Sequence, residues 1–281
     1  MVSSNVSSLV EAFLSQLAHQ PALLVQVAST QGSVPREAGT WMAVFADRVI
    51  GTIGGGHLEY QAIASARAQL TGAAAAQEPL RIALGPALGQ CCGGVVHLRF
   101  EAVSASDMTA LAARLGAAAM RARLPVALFG GGHVGQALVQ ALAPLPFRLN
   151  WIDSRDGVFP DSVPPHVVCE HSEPVQAAVA SLAAGSRVLI MSFSHAEDLD
   201  VLLACLKRHR QQADLPFIGL IGSKTKWATF RHQLEARGFT PTELAHVTCP
   251  IGLAGISGKE PEVIAASVAA QLLQTTTPNA A

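Results

Sequence analysis

The chain has 281 residues, which is enough for two domains that each bury their own core. Half of the residues are hydrophobic, 14% are charged and the formal net charge is -1, which disfavours nucleic acid and anionic membranes as partners. The sequence lacks an apolar run of about 18 residues and a basic leader, so we expect a cytoplasmic protein. Its apolar composition predicts an extra buried surface, such as a homodimer or partner interface.

The first predicted domain combines helices with a mixed sheet over residues 1–104. In chain order, its predicted elements are a helix at 7–18, a strand at 23–27, a hairpin of strands 41–45 and 48–53, a helix at 58–70, and strands at 80–84 and 95–100. An Ala-rich helix at 105–124 is predicted to link this domain to the next.

From residue 125 to 281 short aliphatic strands alternate with helices, which predicts a Rossmann-like, doubly wound parallel sheet. The predicted strands are 126–129, 148–152, 167–168, 188–193 and 217–220, and the predicted helices are 134–142, 174–182, 199–209, 226–236 and 261–273. The overall class is therefore α/β for both domains.

A glycine fingerprint, G-x-G-x-x-G, follows the first predicted strand of the second domain and includes His133. Gly130 would make the turn, Gly132 would let a phosphate approach, and Gly135 would let the helix pack on the strand. Asp153 ends the next strand, about 20 residues on, where a ribose-binding carboxylate belongs. The same glycines could serve only a tight turn, and Asp153 could instead cap a turn or pair with Arg155.

A Rossmann fold also raises the hypothesis of an NAD(P)-dependent oxidoreductase. The single tyrosine, Tyr60, precedes the fingerprint, which excludes a downstream Tyr-x-x-x-Lys proton relay. His195 lies at a strand end beside Glu197 and Asp198, where ligands bind in such sheets. Either a His-based relay or simple capping of the next helix fits this placement.

Two features of the first domain could contact a ligand. Cys91 and Cys92 are adjacent, and Cα atoms about 3.8 Å apart are too close for an ordinary disulfide, so we expect free thiols. Such thiols suit a soft metal, a dithiolene or a persulfide, although one of them could simply be a core residue. The five cysteines have no disulfide spacing, and no zinc motif is present, so we predict no metal ligands.

A second strand–glycine–helix junction contains Gly54, Gly55 and Gly56. Its helix start could receive an anion, with His57 and Glu59 as further contacts. Glu59 could instead complement the dipole of its own helix.

Several segments resemble the xanthine dehydrogenase accessory protein family, over nearly the whole chain. The most specific ones are Gly-Leu-Ile-Gly-Ser-Lys and Cys-Pro-Ile-Gly-Leu. The matching stretches are residues 32–36, 51–56, 89–94, 129–135, 151–155, 218–226, 249–253 and 258–261.

This resemblance implies a chaperone for molybdenum cofactor (molybdopterin) rather than a metabolic enzyme. It implies that the protein holds the cofactor while a cysteine desulfurase supplies a sulfur ligand, then inserts it into the molybdenum subunit of xanthine dehydrogenase. NAD(P) or another nucleotide is the alternative occupant. The expected cofactor-binding residues are Gly54, Gly55, Gly56, Gln90, Cys91, Cys92, Gly130, Gly132, His133, Gly135, Asp153, His195, Ser223 and Lys224.

Overall fold

The computed structural model describes residues 6–72, 79–84 and 93–275. The chain divides into two compact units, residues 1–119 and 120–281. In the described part of the chain, no helix has the length and apolar character that a membrane span requires.

The first unit is built on a five-stranded sheet with the order β3-β2-β1-β5-β4. Its four strand pairings are all antiparallel. The elements are α1 Val6–Leu17, β1 Ala22–Gln31, β2 Trp41–Val44, β3 Val49–Gly51, α2 Gly56–Leu70, β4 Leu80–Ala83 and β5 Val95–Val103, and α3 Met108–Ala122 follows and crosses the division between the units.

Alternate residues of β1 are buried on opposite faces of this sheet. Leu23 and Val25 belong to the cluster that includes helix α2, whereas Leu24 belongs to the cluster on the other face, with Phe13 of α1 and Leu111 of α3. This two-residue period is what a strand covered by helices on both sides requires. The predicted linking helix therefore packs against this sheet through its apolar side.

The second unit is a six-stranded parallel sheet with the order β11-β10-β9-β6-β7-β8. This is the Rossmann strand order, and its direction of addition reverses between β6 and β9. The elements are β6 Leu124–Phe129, α4 His133–Leu142, β7 Phe147–Asp153, β8 Val167–His171, a 3₁₀ helix Val175–Ser181, β9 Arg187–Ile190, α5 His195–Gln212, β10 Phe217–Leu220, α6 Lys224–Glu235, α7 Pro241–Leu244, β11 Val247–Thr248 and α8 Pro261–Gln274.

The predicted α/β class is confirmed for both units. Within that class, each strand pairing that the structure describes in the first sheet is antiparallel, and β1, β2 and β3 form two consecutive hairpin pairings. The helix expected at 174–182 is a 3₁₀ helix, and α7 and β11 were not predicted because they are only four and two residues long.

Replacing Leu128 by Ala tests the core of the second unit. Leu128 is fully buried in β6, so the change should lower the free energy of unfolding by about 2–5 kcal/mol. Urea denaturation followed by circular dichroism measures the loss. Gln140→Ala, on the exposed side of α4, is the control and should change stability little. Equal stability of both variants would contradict the assigned core.

Candidate functional site

The fingerprint loop lies at the switch point between β6 and β9, at the carboxyl edge of the parallel sheet. Gly130 has φ +126°, and a Cβ atom there would lie 2.0 Å from the carbonyl oxygen of Met191, which follows β9. A Cβ at Gly135 would lie 2.0 Å from the carbonyl oxygen of Gly130. These two glycines are therefore required by the packing of the loop itself.

Gly132 differs from its neighbours because it faces open space. It is the N-cap of α4 with φ -71°, and a Cβ there would meet no atom within 4 Å. The first turn of α4, beginning at exposed His133, carries N–H groups that have no acceptor within the helix. This edge of the loop leaves room for an anionic group beside a positive helix end.

Asp153 is engaged by the protein on both carboxylate oxygens. Oδ2 accepts hydrogen bonds from Gly131 N at 2.6 Å and Arg155 Nη2 at 2.9 Å, and Oδ1 accepts from the backbone N and Nε of Arg155, both at 2.9 Å. Asp153 is only 2% exposed. Burial alone would raise the pKa of this carboxyl, but the hydrogen bonds from Arg155 and Gly131 outweigh it and lower the pKa.

With four donors already bound, Asp153 has no acceptor position left for a ribose hydroxyl. The pairing with Arg155 that the sequence left open is thus the arrangement in the structure. The carboxylate fixes the shape of the glycine loop and holds the guanidinium of Arg155 in place.

Arg155 and Phe193 present a cation and an aromatic ring at the same edge. The Arg155 guanidinium carbon lies 4.6 Å from the centre of the Phe193 ring, and Phe193 is 66% exposed. The hydrogen bond to Asp153 raises the pKa of Arg155, so the cation persists at all ordinary pH values. Guanidinium and aromatic groups of this kind recognise phosphate and planar rings, respectively.

A second carboxylate joins the loops that follow β7 and β9. Glu197 accepts hydrogen bonds from Ser154 Oγ at 2.7 Å and from Phe193 N at 3.1 Å. Ser194, rather than His195 or Asp198, caps α5 by accepting from Glu197 N at 3.2 Å. His195 is the exposed first residue of that helix.

A buried ion pair joins α5 to α6. Asp198 accepts from Lys226 Nζ at 2.5 Å and from Ser192 N and Oγ at 2.7 Å each, and Lys226 also donates to Ile221 O at 3.0 Å. The two side chains are 3% and 9% exposed. The ammonium group of Lys226 is therefore already bound within the protein.

The two candidates at the start of α6 have different roles in the structure. Ser223 caps the helix by accepting from Lys226 N at 3.1 Å. Lys224 is the exposed first residue of α6. All of the described candidates from the second domain thus lie at the carboxyl edge of one sheet.

In the first unit, Glu59 binds the donors at the glycine junction. Its Oε2 accepts from Ile53 N at 3.0 Å, Gly55 N at 3.2 Å and Thr52 Oγ1 at 2.5 Å. Glu59 thus supplies the negative group at the start of α2, as the simpler of the two sequence interpretations expected. An added anion at Gly54, Gly55 and Gly56 would compete with this carboxylate.

Two of the motifs in the first unit, at Gly54 and at Gly94, approach the third motif in the loop at residues 31–36. A Cβ at Gly94 would lie 2.4 Å from Ser33 O, and one at Gly54 would lie 2.8 Å from Pro35. The predicted contacts of Gln90, Cys91 and Cys92 lie outside the described residues. Among the residues that are described, no group of three or more His, Cys, Asp and Glu side chains is arranged to hold a metal ion.

The sequence-based site omitted Ser192, Phe193 and Glu197 from the residues expected to bind a ligand. A serine and a phenylalanine after a strand match no motif, and their relevance comes from the position of β9 beside β6. The Asp-Ser-Arg spacing at 153–155 is the one local signal that pointed to a carboxylate–guanidinium pair.

The fold and this edge define a two-unit α/β protein whose second unit is a Rossmann-like domain. We call the surface formed by Gly132, Arg155 and Phe193 at its switch point the crevice. A model of the XdhC Rossmann domain matches residues 126–272, and a model of the XdhC and CoxI family matches residues 15–80. The chain therefore belongs to the XdhC family.

One curated protein and one solved structure illustrate what this chain is similar to. The uncharacterized protein YqeB of Escherichia coli (strain K12) is 28% identical over 257 residues, which are 90% of this chain and 43% of that protein. The chain thus spans less than half the length of this curated relative. A crystal structure described as a xanthine dehydrogenase from Bacillus halodurans aligns with a TM-score of 0.70 at 20% identity, covering 97% of this chain and 96% of the other, so the two share a fold.

Replacing Gly130 or Gly132 by Ala should lower stability by different amounts, because only Gly130 is packed against neighbouring backbone. Gly130→Ala places a Cβ against Met191 O at a strained φ, so we expect a loss of several kcal/mol, about 3 or more, or failure to fold. Gly132→Ala should cost about 0.5–1 kcal/mol as a changed cap. Thermal denaturation compares the two, and equal melting temperatures would contradict the geometry of the loop.

Asp153→Asn should make stability less dependent on pH. Because the folded pKa of Asp153 is lowered, its contribution is complete above the unfolded pKa of about 3.9 and is lost as the pH falls through the folded pKa. At pH 7 the variant should be less stable by about 1–3 kcal/mol, since its hydrogen bonds are weakened. Denaturation at pH 7 and below pH 4 measures the difference, which should shrink in acid. A constant difference would disprove the ionic role.

Proposed function

We propose that this protein carries molybdenum cofactor for the maturation of xanthine dehydrogenase. It would hold the cofactor while a cysteine desulfurase adds a sulfur ligand, then deliver it to the molybdenum subunit of the enzyme. The observation that carries the proposal is the switch-point crevice, where open Gly132, cationic Arg155 and exposed Phe193 lie together. Membership of the XdhC family supports the link to xanthine dehydrogenase.

The residues of the crevice suit the polar end of this cofactor. Arg155 keeps N–H donors beyond those given to Asp153, and the first turn of α4 adds backbone donors near Gly132. Gly131 N is already bound to Asp153, so a phosphate would use the helix start rather than the whole loop. When bound, the cofactor supplies a dithiolene-held molybdenum centre for the recipient enzyme.

The hydrogen bonds of the carboxylates beside the crevice favour binding of a ligand rather than catalysis. Asp153, Glu197 and Asp198 each accept hydrogen bonds from protein donors on the oxygens that a general base would need. His195 is exposed, and its ring contacts Phe230 edge-on with the ring centres 6.3 Å apart. A carrier needs a fixed, complementary surface, which this network supplies.

An NAD(P)-dependent oxidoreductase is the second candidate, favoured by the intact glycine fingerprint after β6. The occupied acceptors of Asp153 count against it, because ribose recognition needs a free carboxylate.

The remaining parts of the carrier proposal are a cytoplasmic homodimer and thiols of Cys91 and Cys92 close to the transferred sulfur.

Cofactor retention tests the carrier function. The purified protein is mixed anaerobically with extracted molybdenum cofactor, desalted, and assayed for molybdenum and pterin per chain. We expect close to one cofactor per chain for the native protein. Arg155→Gln should reduce retention by about tenfold, since one charge-assisted phosphate contact is worth about 1.5–3 kcal/mol.

Arg231→Gln is the matched control, because Arg231 is an exposed arginine on α6 that pairs only with Glu235 among its described ion pairs. Gly132→Val adds a side chain on the open side of the loop, where a Cβ atom would meet nothing within 4 Å, and should also reduce retention. Cys91→Ala with Cys92→Ala tests the thiols in the same assay. Absence of retention together with tight NAD(P) binding would reject the carrier and favour the oxidoreductase.

A further inference from the structure

A cavity of about 480 Å³ lies at the carboxyl edge of β10 and β11 in the second unit. The segment 250–256 forms one wall and the start of α8 forms another. Its volume is within the range of small-molecule sites. Three of the segments that carry the family resemblance meet here, at Ile221-Gly222, at 250–253 and at Gly258.

The wall formed by the loop is pinned to α8 by side chains of that helix. Leu253 N donates to Ser267 Oγ at 2.8 Å, Gly252 N donates to Gln271 Oε1 at 2.8 Å, and Gln271 Nε2 donates back to Gly252 O at 3.2 Å. Ser267 and Gln271 are four residues apart and so share one helical face. These two polar side chains of α8 thus fix the loop.

Close packing holds the same wall. Gly252 has φ +103°, and a Cβ there would lie 2.7 Å from Ser267 Oγ. Only glycine brings the backbone this near to the helix. This part of the wall is therefore held in place before any ligand enters, which reduces the entropy lost on binding.

The lining favours an uncharged ligand. The lining side chains are aliphatic, as in Ile251 and Ile264, except for that of Ser267, whose hydroxyl already accepts from Leu253 N. None of the lining residues is charged. Nearby, the Lys226 ammonium is paired with Asp198, and burial raises the pKa of the Cys249 thiol, which keeps it neutral. The lining residues offer an ion no counter-charge, and the exposed carboxylate of Glu260 beside Gly258 would oppose an anion.

Glycines make the peptide groups of the lining accessible. Gly222, Gly255 and Gly258 border the cavity and are exposed, so their peptide groups lie between aliphatic side chains, whereas the N–H and C=O groups of Gly252 are bound to Gln271. This combination matches a flat ring with donors and acceptors on its edge and apolar faces. We infer that the cavity binds an uncharged planar heterocycle. The assignment of that ring to the pterin of the cofactor rests on the proposed function.

The test uses neopterin as an uncharged pterin and adenosine as the competing heterocycle. Full-length protein is titrated with each, and neopterin binding is followed by its fluorescence. Ala254→Trp should fill the cavity from an exposed position and weaken neopterin binding by about tenfold or more. Ala228→Trp, on an exposed part of α6 outside the lining, should leave binding unchanged.

Ile256→Ala is the second variant, because Ile256 is half exposed and its truncation should not affect folding. It should weaken neopterin binding by about threefold, since one aliphatic wall is lost. Circular dichroism confirms that each variant is folded. A folded native protein that does not bind neopterin, or an Ala254→Trp variant with unchanged affinity, would overturn the inference. Stronger binding of adenosine than of neopterin would overturn the pterin assignment.

Cofactor retention is measured on the same variants to keep the two proposals apart. Native-like retention by Ala254→Trp would overturn the cavity as the pterin site and leave the carrier function standing. Saturable neopterin binding that Ala254→Trp abolishes, in a protein that retains no molybdenum cofactor, would support the cavity and overturn the carrier.

Discussion

The approach of Gly130 to the carbonyl of Met191 sets the geometry of the second unit. It brings the ends of β6 and β9 together at the point where the strand order reverses. Trp151 donates from its indole to Gly130 O at 2.9 Å, and Asp153 accepts from Gly131 N. The adjacent strand β7 therefore supports the same turn, and the crevice beside it follows from a contact that only glycine permits.

The polar groups at this edge divide into those that build the protein and those that remain for a ligand. Asp153 and the Asp198–Lys226 pair are buried and saturated, which is how charged groups are stabilised away from water. Arg155, Phe193 and the start of α4 face outward. A site with a rigid polar frame and a cationic, aromatic surface is suited to recognising an anionic ligand.

The strand–helix alternation and the glycine fingerprint were enough to predict a Rossmann-like domain, because both are local patterns. They were not enough to predict how Asp153 is used. The signal for a ribose-binding carboxylate is its position after β7, whereas its actual partners depend on the conformation of the loop at Gly131. Likewise, Lys226 and Asp198 are 28 residues apart and on different helices, so their pairing is decided by tertiary packing. The contribution of Gly54 to a site stays a prediction.

Arg155 both faces the crevice and binds Asp153, and this double role has a thermodynamic consequence. The same guanidinium that faces the crevice also supplies two side-chain hydrogen bonds to Asp153, and Asp153 holds the turn between β6 and α4. An anion that bound only the folded form would raise the stability of the second unit, and any change that loosened the turn would weaken the anion's affinity by linkage. Anion binding in the crevice and unfolding of the second unit are therefore thermodynamically linked, so a measurement of either one reports on the other.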